Sequence, residues 1–175
     1  MFDDSGCTAD WSTTPPSEDR LSETWNRLSH RLTSGHLPGI AAQKTMAPPG
    51  RVDPNYDAVP PEARLGAVLM LLCPYEQGDV LDAPAAGNNP PENTSHHGAN
   101  ELWLPLIQRA DDSSTHAGQI ALPGGGFEDG DEFPDGTAVR EACEEIGLDA
   151  STVHVAGTLT PLFIPVSNYS IVPVV

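Results

Sequence analysis

Residues Leu122 to Leu148 read LPGGGFEDGDEFPDGTAVREACEEIGL, a glycine loop that feeds an acidic helix. From Thr137 the chain has no glycine or proline until Gly147, so Thr137 to Ile146 is predicted to be one helix that stops at a C-terminal glycine. Glu141 and Glu145 stand four apart and Glu144 three after Glu141, which brings the three carboxylates to nearly one face. Like charges at that spacing destabilise a helix, and on an isolated helix such a face is most simply a solvated one. Beside a glycine loop the same oxygens have a second use, as ligands on a rigid element for Mg²⁺ or Mn²⁺ that bridges to substrate phosphates. Ala138, Ala142 and Ile146 lie on the other side and are predicted to pack against a sheet.

Counted from Gly126, the segment runs glycine, five residues, Glu132, seven residues, Arg140-Glu141, an apolar residue, one of any kind, Glu144-Glu145, one of any kind, Gly147 and an apolar residue. Together with Gly124, Gly125 and Gly130 this is similar to the Nudix box of the Nudix hydrolases. Upstream, Arg109, His116-Ala117-Gly118-Gln119 and Leu122-Pro123-Gly124-Gly125 resemble the segment that distinguishes the coenzyme A pyrophosphatase branch of that superfamily. Ala41 to Pro48, Arg51 and the strand-like Leu65 to Cys73 resemble the N-terminal part of the same branch, so the resemblance runs over residues 20–175. Ser114 stands where the branch usually has a basic residue, and Leu122 where it usually has phenylalanine.

The resemblance implies an α/β (α+β) fold, a Nudix-like mixed β-sheet sandwiched between helices. It implies metal-dependent hydrolysis of the diphosphate bond of coenzyme A or its derivatives, giving 3',5'-ADP and 4'-phosphopantetheine. Position by position it implies Glu141, Glu144 and Glu145 on Mg²⁺ or Mn²⁺, and Gly125 and Gly126 in the phosphate-facing loop. Glu132 is implied as an additional ligand or as the partner of Arg140, with the adjacent Asp131 as the alternative carboxylate. Arg109, His116 and Gln119 fall in the segment implied to meet the substrate.

Arg140 stays protonated at any working pH and cannot be a base, so it reads as a brace between loop and helix, with charge neutralisation during phosphoryl transfer as a second role. Glu144 and Glu145 are the candidate bases. His116 is an outside choice because its unperturbed pKa is close to neutral, although pinning the loop by hydrogen bonds is its plainer role. Gly118 suits a tight turn, and Gln119 suits hydrogen bonding to loop or ligand. Ser114 keeps a second substrate reading in view, another nucleoside diphosphate derivative such as NADH, ADP-ribose or a dinucleoside polyphosphate. A third reading is an inactive or binding-only fragment.

At 175 residues the chain suffices for one domain with a real core. No apolar run is long enough to span a bilayer, and the start Met1-Phe2-Asp3-Asp4 lacks the features of a signal peptide. Cys7, Cys73 and Cys143 are few and far apart, as expected for reduced thiols in a cytoplasmic protein. The formal charge of −17, with Lys44 the only lysine, argues against nucleic acid or anionic membrane as partners. An anionic small-molecule substrate must therefore be received through metal ions and a few local cations.

Residues 1–17 are polar and read as a disordered tail, and 18–60 as an N-terminal helix with an irregular extension. Leu21, Trp25, Leu28 and Leu32 recur at helical spacing, so Glu18 to Leu32 is predicted to be amphipathic, and Gly39 to Pro61 irregular. The Nudix-like domain is placed at 61–175. Its strand candidates are Leu65 to Cys73, Glu101 to Arg109 with Pro105 weakening the centre, Val153 to Leu159, and Tyr169 to Val175. Leu81 to Asn100 is predicted to be loop. The last strand is apolar with no covering element after it, which reads as an exposed edge, a domain missing its C-terminal part, and an edge that a homodimer would cover.

Overall fold

A computed structural model of the protein describes Ser12 and residues 19–47, 59–74, 102–109 and 118–175. In chain order it contains helices α1 (Asp19–Thr33) and α2 (Gly39–Met46) and strands β1 (Arg64–Leu69), β2 (Cys73–Pro74), β3 (Leu102–Trp103), β4 (Ile107–Gln108), β5 (Ile120–Ala121) and β6 (Gly124–Gly126). Helix α3 (Asp135–Ile146), a 3₁₀ turn at Ala150–Thr152, β7 (Leu162–Ile164) and β8 (Tyr169–Val174) complete it. The main sheet is mixed, in the order β6-β1-β8-β7, with β1 and β8 parallel and the outer pairs antiparallel. This is the mixed α+β architecture expected from the Nudix resemblance.

The core lies between α3 and one face of this sheet. Alternation along β1 sends Ala67 and Leu69 to that face, where they meet Val174 of β8 and Ala138, Val139 and Ala142 of α3, all nearly inaccessible. Ile146 was predicted on this packing face but is 37% exposed, and Val139 takes its place. Each step of four residues turns the helix about 40° past a full turn, so the row 138, 142, 146 drifts out of the contact. The helix ends at Gly147, whose φ of 68° is left-handed and whose N–H donates to the Cys143 carbonyl at 3.1 Å, as the glycine suggested.

Tyr169 to Val175 was predicted as a strand with a bare edge. It is a strand, but it sits between β1 and β7, with Ser170 and Val174 buried. A parallel partner from residues 64–69 covers the edge that the end of the chain was expected to leave open. Val153 to Leu159 does not form the strand predicted for it. Gly157, at φ 145°, breaks the run, and what remains is a single bridge between Thr158 and Val174 and one between His154 and Ser12. Glu101–Arg109 is divided around Pro105 into β3 and β4, as a missing N–H in mid-strand requires.

Helix α1 forms where the Leu21, Trp25, Leu28, Leu32 spacing placed it and packs on the broken segment. The Trp25 ring meets His154 edge-on at 6.0 Å, and Leu32 closes over Gly157. Helix α2 was not foreseen in the Gly39 to Pro61 stretch. Its Gln43 amide donates to the carbonyls of Thr160 and Pro161 at 2.9 and 3.2 Å, a long-range anchor for a short helix. Apart from Ser12, the predicted 1–17 tail lies outside the described residues, as does the 81–100 loop. Among the described residues no helix is long and apolar enough to cross a membrane.

Candidate functional site: the glycine strand and the acidic helix

Strand β6 is an edge of the sheet, pairing Gly124 with Val68, Gly125 with Ala67 and Gly126 with Gly66. The backbone bonds from Leu69 N–H to Pro123 and from Phe127 N–H to Leu65 turn the Gly124 N–H and the Gly126 carbonyl outward. Side chains of α3 take both. The Gly124 N–H donates to Glu145 Oε2 at 2.9 Å, and Arg140 Nη2 donates to the Gly126 carbonyl at 3.0 Å. Between them the Glu141 carboxylate rests on Gly125 in the space a β-carbon would fill. Three consecutive glycines are thus held by three side chains of one helix, which explains why Gly125 can have no side chain.

Arg140 is the hub. Its side chain, 18% exposed, donates through Nε and Nη2 to Asp131 at 3.0 and 3.2 Å, through Nη2 to Glu141 Oε1 at 3.1 Å, and through Nη1 to Glu144 Oε1 at 3.2 Å. The bond to Asp131, followed by those to Glu144 and the charge of Glu141, raises its pKa still further against the effect of burial. Asp131 also accepts from the Thr137 hydroxyl at 2.9 Å and from the Glu128 N–H at 3.1 Å. Burial pushes the Asp131 carboxyl up, but Arg140, Glu128 and Thr137 together hold it below the usual carboxylate value.

The brace expected between Arg140 and Glu132 is therefore made by Asp131 instead. Asp131 closes a turn onto Glu128, its N–H bonded to the Glu128 carbonyl at 3.1 Å, so its short side chain points at Arg140. Glu132 is one residue further along, exposed, and uses its main-chain carbonyl to receive the Gly136 N–H at the start of α3. The sequence offered both carboxylates, and only the turn chooses between them.

Glu141 is the most enclosed of the three helix carboxylates. Burial raises its pKa first, Arg140 lowers it, and the charges of Glu144 and Glu145 raise it again. Glu144 and Glu145 are exposed. Among the described residues no ready-made group of three acidic, histidine or cysteine side chains converges on one point, because Glu141 and Glu144 face Arg140 and Glu145 faces Gly124. The donor set nevertheless fits a divalent cation. It is made of hard carboxylate oxygens on one rigid helix, and their mutual repulsion, seen at Glu141, is what a bound dication relieves.

The upstream candidates lie elsewhere. Arg109 and Gln119 face each other at the base of the β4–β5 pair, where the Arg109 N–H donates to the Gln119 carbonyl at 3.0 Å and the Gly118 N–H to the Arg109 carbonyl at 3.2 Å. Gly118, at φ 69°, takes the turn expected of it, and Arg109 is exposed. This pair is separate from the four-stranded sheet, and Leu122 and Pro123 lead from it into β6. His116 and Ser114 lie outside the described residues.

Residues 87–171 match the family model described as the NUDIX domain. Over 75 residues the chain is 47% identical to a protein from Yersinia pestis (strain Pestoides F) named uncharacterized Nudix hydrolase NudL. It is equally similar to the protein of that name from Yersinia pseudotuberculosis serotype O:1b (strain IP 31758). The matched stretch covers 43% of this chain and 37% of each relative, so the chain spans little more than a third of the length of the relatives it matches.

Proposed function

We propose that the protein hydrolyses the diphosphate linkage of a nucleoside diphosphate derivative, with coenzyme A or one of its derivatives as the substrate, in keeping with the match of residues 87–171 to the NUDIX domain. The observation that carries this reading is the clamping of Gly124, Gly125 and Gly126 by Glu145, Glu141 and Arg140. It fixes a side-chain-free strand beside a carboxylate face, and bare backbone can approach a polyanion more closely than any side-chained segment.

Glu141, Glu144 and Glu145, with Glu132 at the loop, are the residues that would hold Mg²⁺ or Mn²⁺. When bound there, such an ion supplies positive charge to phosphate oxygens and lowers the pKa of a coordinated water. The chain's own residues do the rest. The glycine strand sets how near the diphosphate can come. Arg140 holds that strand on α3 and keeps the Glu141 and Glu144 carboxylates on one side of the helix. An oxygen of Glu144 or Glu145 accepts the proton from the attacking water, since both carboxylates are exposed on the helix face next to the loop. Arg109, His116 and Gln119 contribute to holding the substrate.

Coenzyme A is favoured by the segment from His116 to Gly125, and Ser114 favours a different nucleoside diphosphate derivative. The experiment is incubation with Mg²⁺ or Mn²⁺ and a panel of coenzyme A, NADH, ADP-ribose and dinucleoside polyphosphates. Release of 3',5'-ADP and 4'-phosphopantetheine from coenzyme A is expected. Cleavage of the other compounds with none of coenzyme A rejects that substrate, and a folded protein inert toward the whole panel rejects hydrolysis.

A further inference from the structure

The side of the sheet turned away from α3 carries a feature that the clamp leaves unused. Arg64 opens β1 and Tyr169 opens β8, paired across the parallel ladder and therefore on the same face. The Arg64 guanidinium carbon stands 4.3 Å from the centre of the Tyr169 ring, a cation–π stack. Two glycines border the ring. A β-carbon on Gly66 would come within 3.4 Å of Tyr169 Cδ1, and one on Gly126 within 3.2 Å of its hydroxyl. The Tyr169 hydroxyl thus ends against the last glycine of the clamped strand, and the guanidinium sits above the ring.

The stack is fixed from below. The Arg64 N–H donates to the Asn168 carbonyl at 2.8 Å, and the Asn168 amide, on a residue with φ 53°, donates to the Glu62 carbonyl at 3.2 Å. Arg64 is exposed, and among the described residues no carboxylate is paired with it. Arg140, the other arginine at the glycine strand, is occupied by Asp131, Glu141 and Glu144. In a chain of net charge −17, an arginine held over an aromatic ring and meeting no carboxylate among the described residues is a pre-organised anion receptor.

We propose that Arg64, positioned by Tyr169, is a substrate-binding residue that grips a phosphate group of the substrate on the far side of the glycine strand from α3. This rests on the hydrolase reading above and adds to it a determinant of affinity. The phosphate is either one of the scissile diphosphate or an additional phosphate monoester on the nucleoside. Coenzyme A and dephospho-coenzyme A separate these two sources, because they differ by one such monoester.

The test is steady-state kinetics of the full chain with Mg²⁺ for R64M, R64K and Y169L on both substrates, with calorimetric titration of 3',5'-ADP and ADP alongside. R64M keeps the apolar stem and loses the charge. It should raise KM about 10- to 100-fold, the range of a charge-assisted hydrogen bond, with kcat within about threefold. R64K should recover part of that loss, since it restores the charge without the fork. Y169L should move KM in the same direction by a smaller factor, because it removes only the platform. A rise confined to coenzyme A assigns the monoester, and an equal rise for both substrates assigns the diphosphate. Unchanged KM in R64M and R64K overturns the proposal, as does a fall in kcat alone. If the parent cleaves neither substrate the hydrolase reading fails on its own, and calorimetry decides this one. At least tenfold weaker binding of 3',5'-ADP or ADP by the Arg64 variants supports it, whereas unchanged binding, or none by the parent, overturns it. Should R64M fail to fold, R64K carries the same decision.

Discussion

Replacing Asp131 or Glu132 with alanine separates two carboxylates that are adjacent in sequence and differ completely in surroundings. The Asp131 side chain is 9% exposed and accepts from Arg140 twice, from Thr137 and from Glu128. Removing one partner of a buried ion pair commonly costs about 3–5 kcal/mol, because the other charge is left without compensation. Arg140 retains Glu141, Glu144 and the Gly126 carbonyl and is 18% exposed, so the lower part of the scale applies, about 2–3 kcal/mol. At about 3 °C per kcal/mol for a chain of this size, Asp131→Ala should lower the Tm by about 6–9 °C. Glu132→Ala removes an exposed side chain and should stay within about 0.5 kcal/mol, or 2 °C. Thermal and urea denaturation followed by circular dichroism, in EDTA so that metal binding does not contribute, measures both. Equal losses for the two variants, or a larger loss at Glu132, would show that the Arg140 brace has been assigned to the wrong carboxylate.

Other outcomes follow from the same geometry. Gly125→Ala places a methyl group in the space of the Glu141 carboxylate, 2.6 Å from its Oε2, and should push β6 off α3 with at least about a 100-fold loss of turnover, whereas wild-type rates in a folded variant would contradict the clamp. Glu145→Gln keeps the volume but removes one candidate ligand charge, so activity should drop at least ~100-fold, and equal turnover at saturating Mg²⁺ would remove Glu145 from the metal set. Arg140→Lys should lower stability and turnover together, because a point charge cannot reach Asp131, Glu141, Glu144 and Gly126 at once, and unaltered values for both would refute the hub. Asp131 is held below its ordinary pKa of 3.8, so its contribution to stability is complete above that value and is lost as the pH falls through the depressed folded-state value. The parent should therefore lose more stability than Asp131→Ala between pH 5 and pH 2, about the range over which such a group titrates, and parallel losses in urea melts would refute the pairing.

The acidic helix, its stop at Gly147 and the spacing similar to a Nudix box were legible because each depends on intervals along one continuous stretch of chain. Three glutamates at helical intervals share a face in any fold, and glycine suits a left-handed C-terminus wherever the helix sits. The Leu21, Trp25, Leu28, Leu32 stripe placed α1 for the same reason. What failed or stayed open were pairings between residues distant along the chain. Val153 to Leu159 has the composition of a strand, but the conformation of Gly157 in its middle leaves it only two isolated bridges, to Ser12 and to Val174. Tyr169 to Val174 looked bare because the strand that covers it lies about a hundred positions earlier. Asp131 and Glu132 are chemically interchangeable in the sequence, and a turn closed onto Glu128 alone sends one to Arg140 and the other to solvent. The stack of Arg64 on Tyr169 had no local signal at all. It exists because a parallel ladder sets residues 64 and 169 side by side over two glycines from different strands, and register across a sheet is decided by tertiary packing.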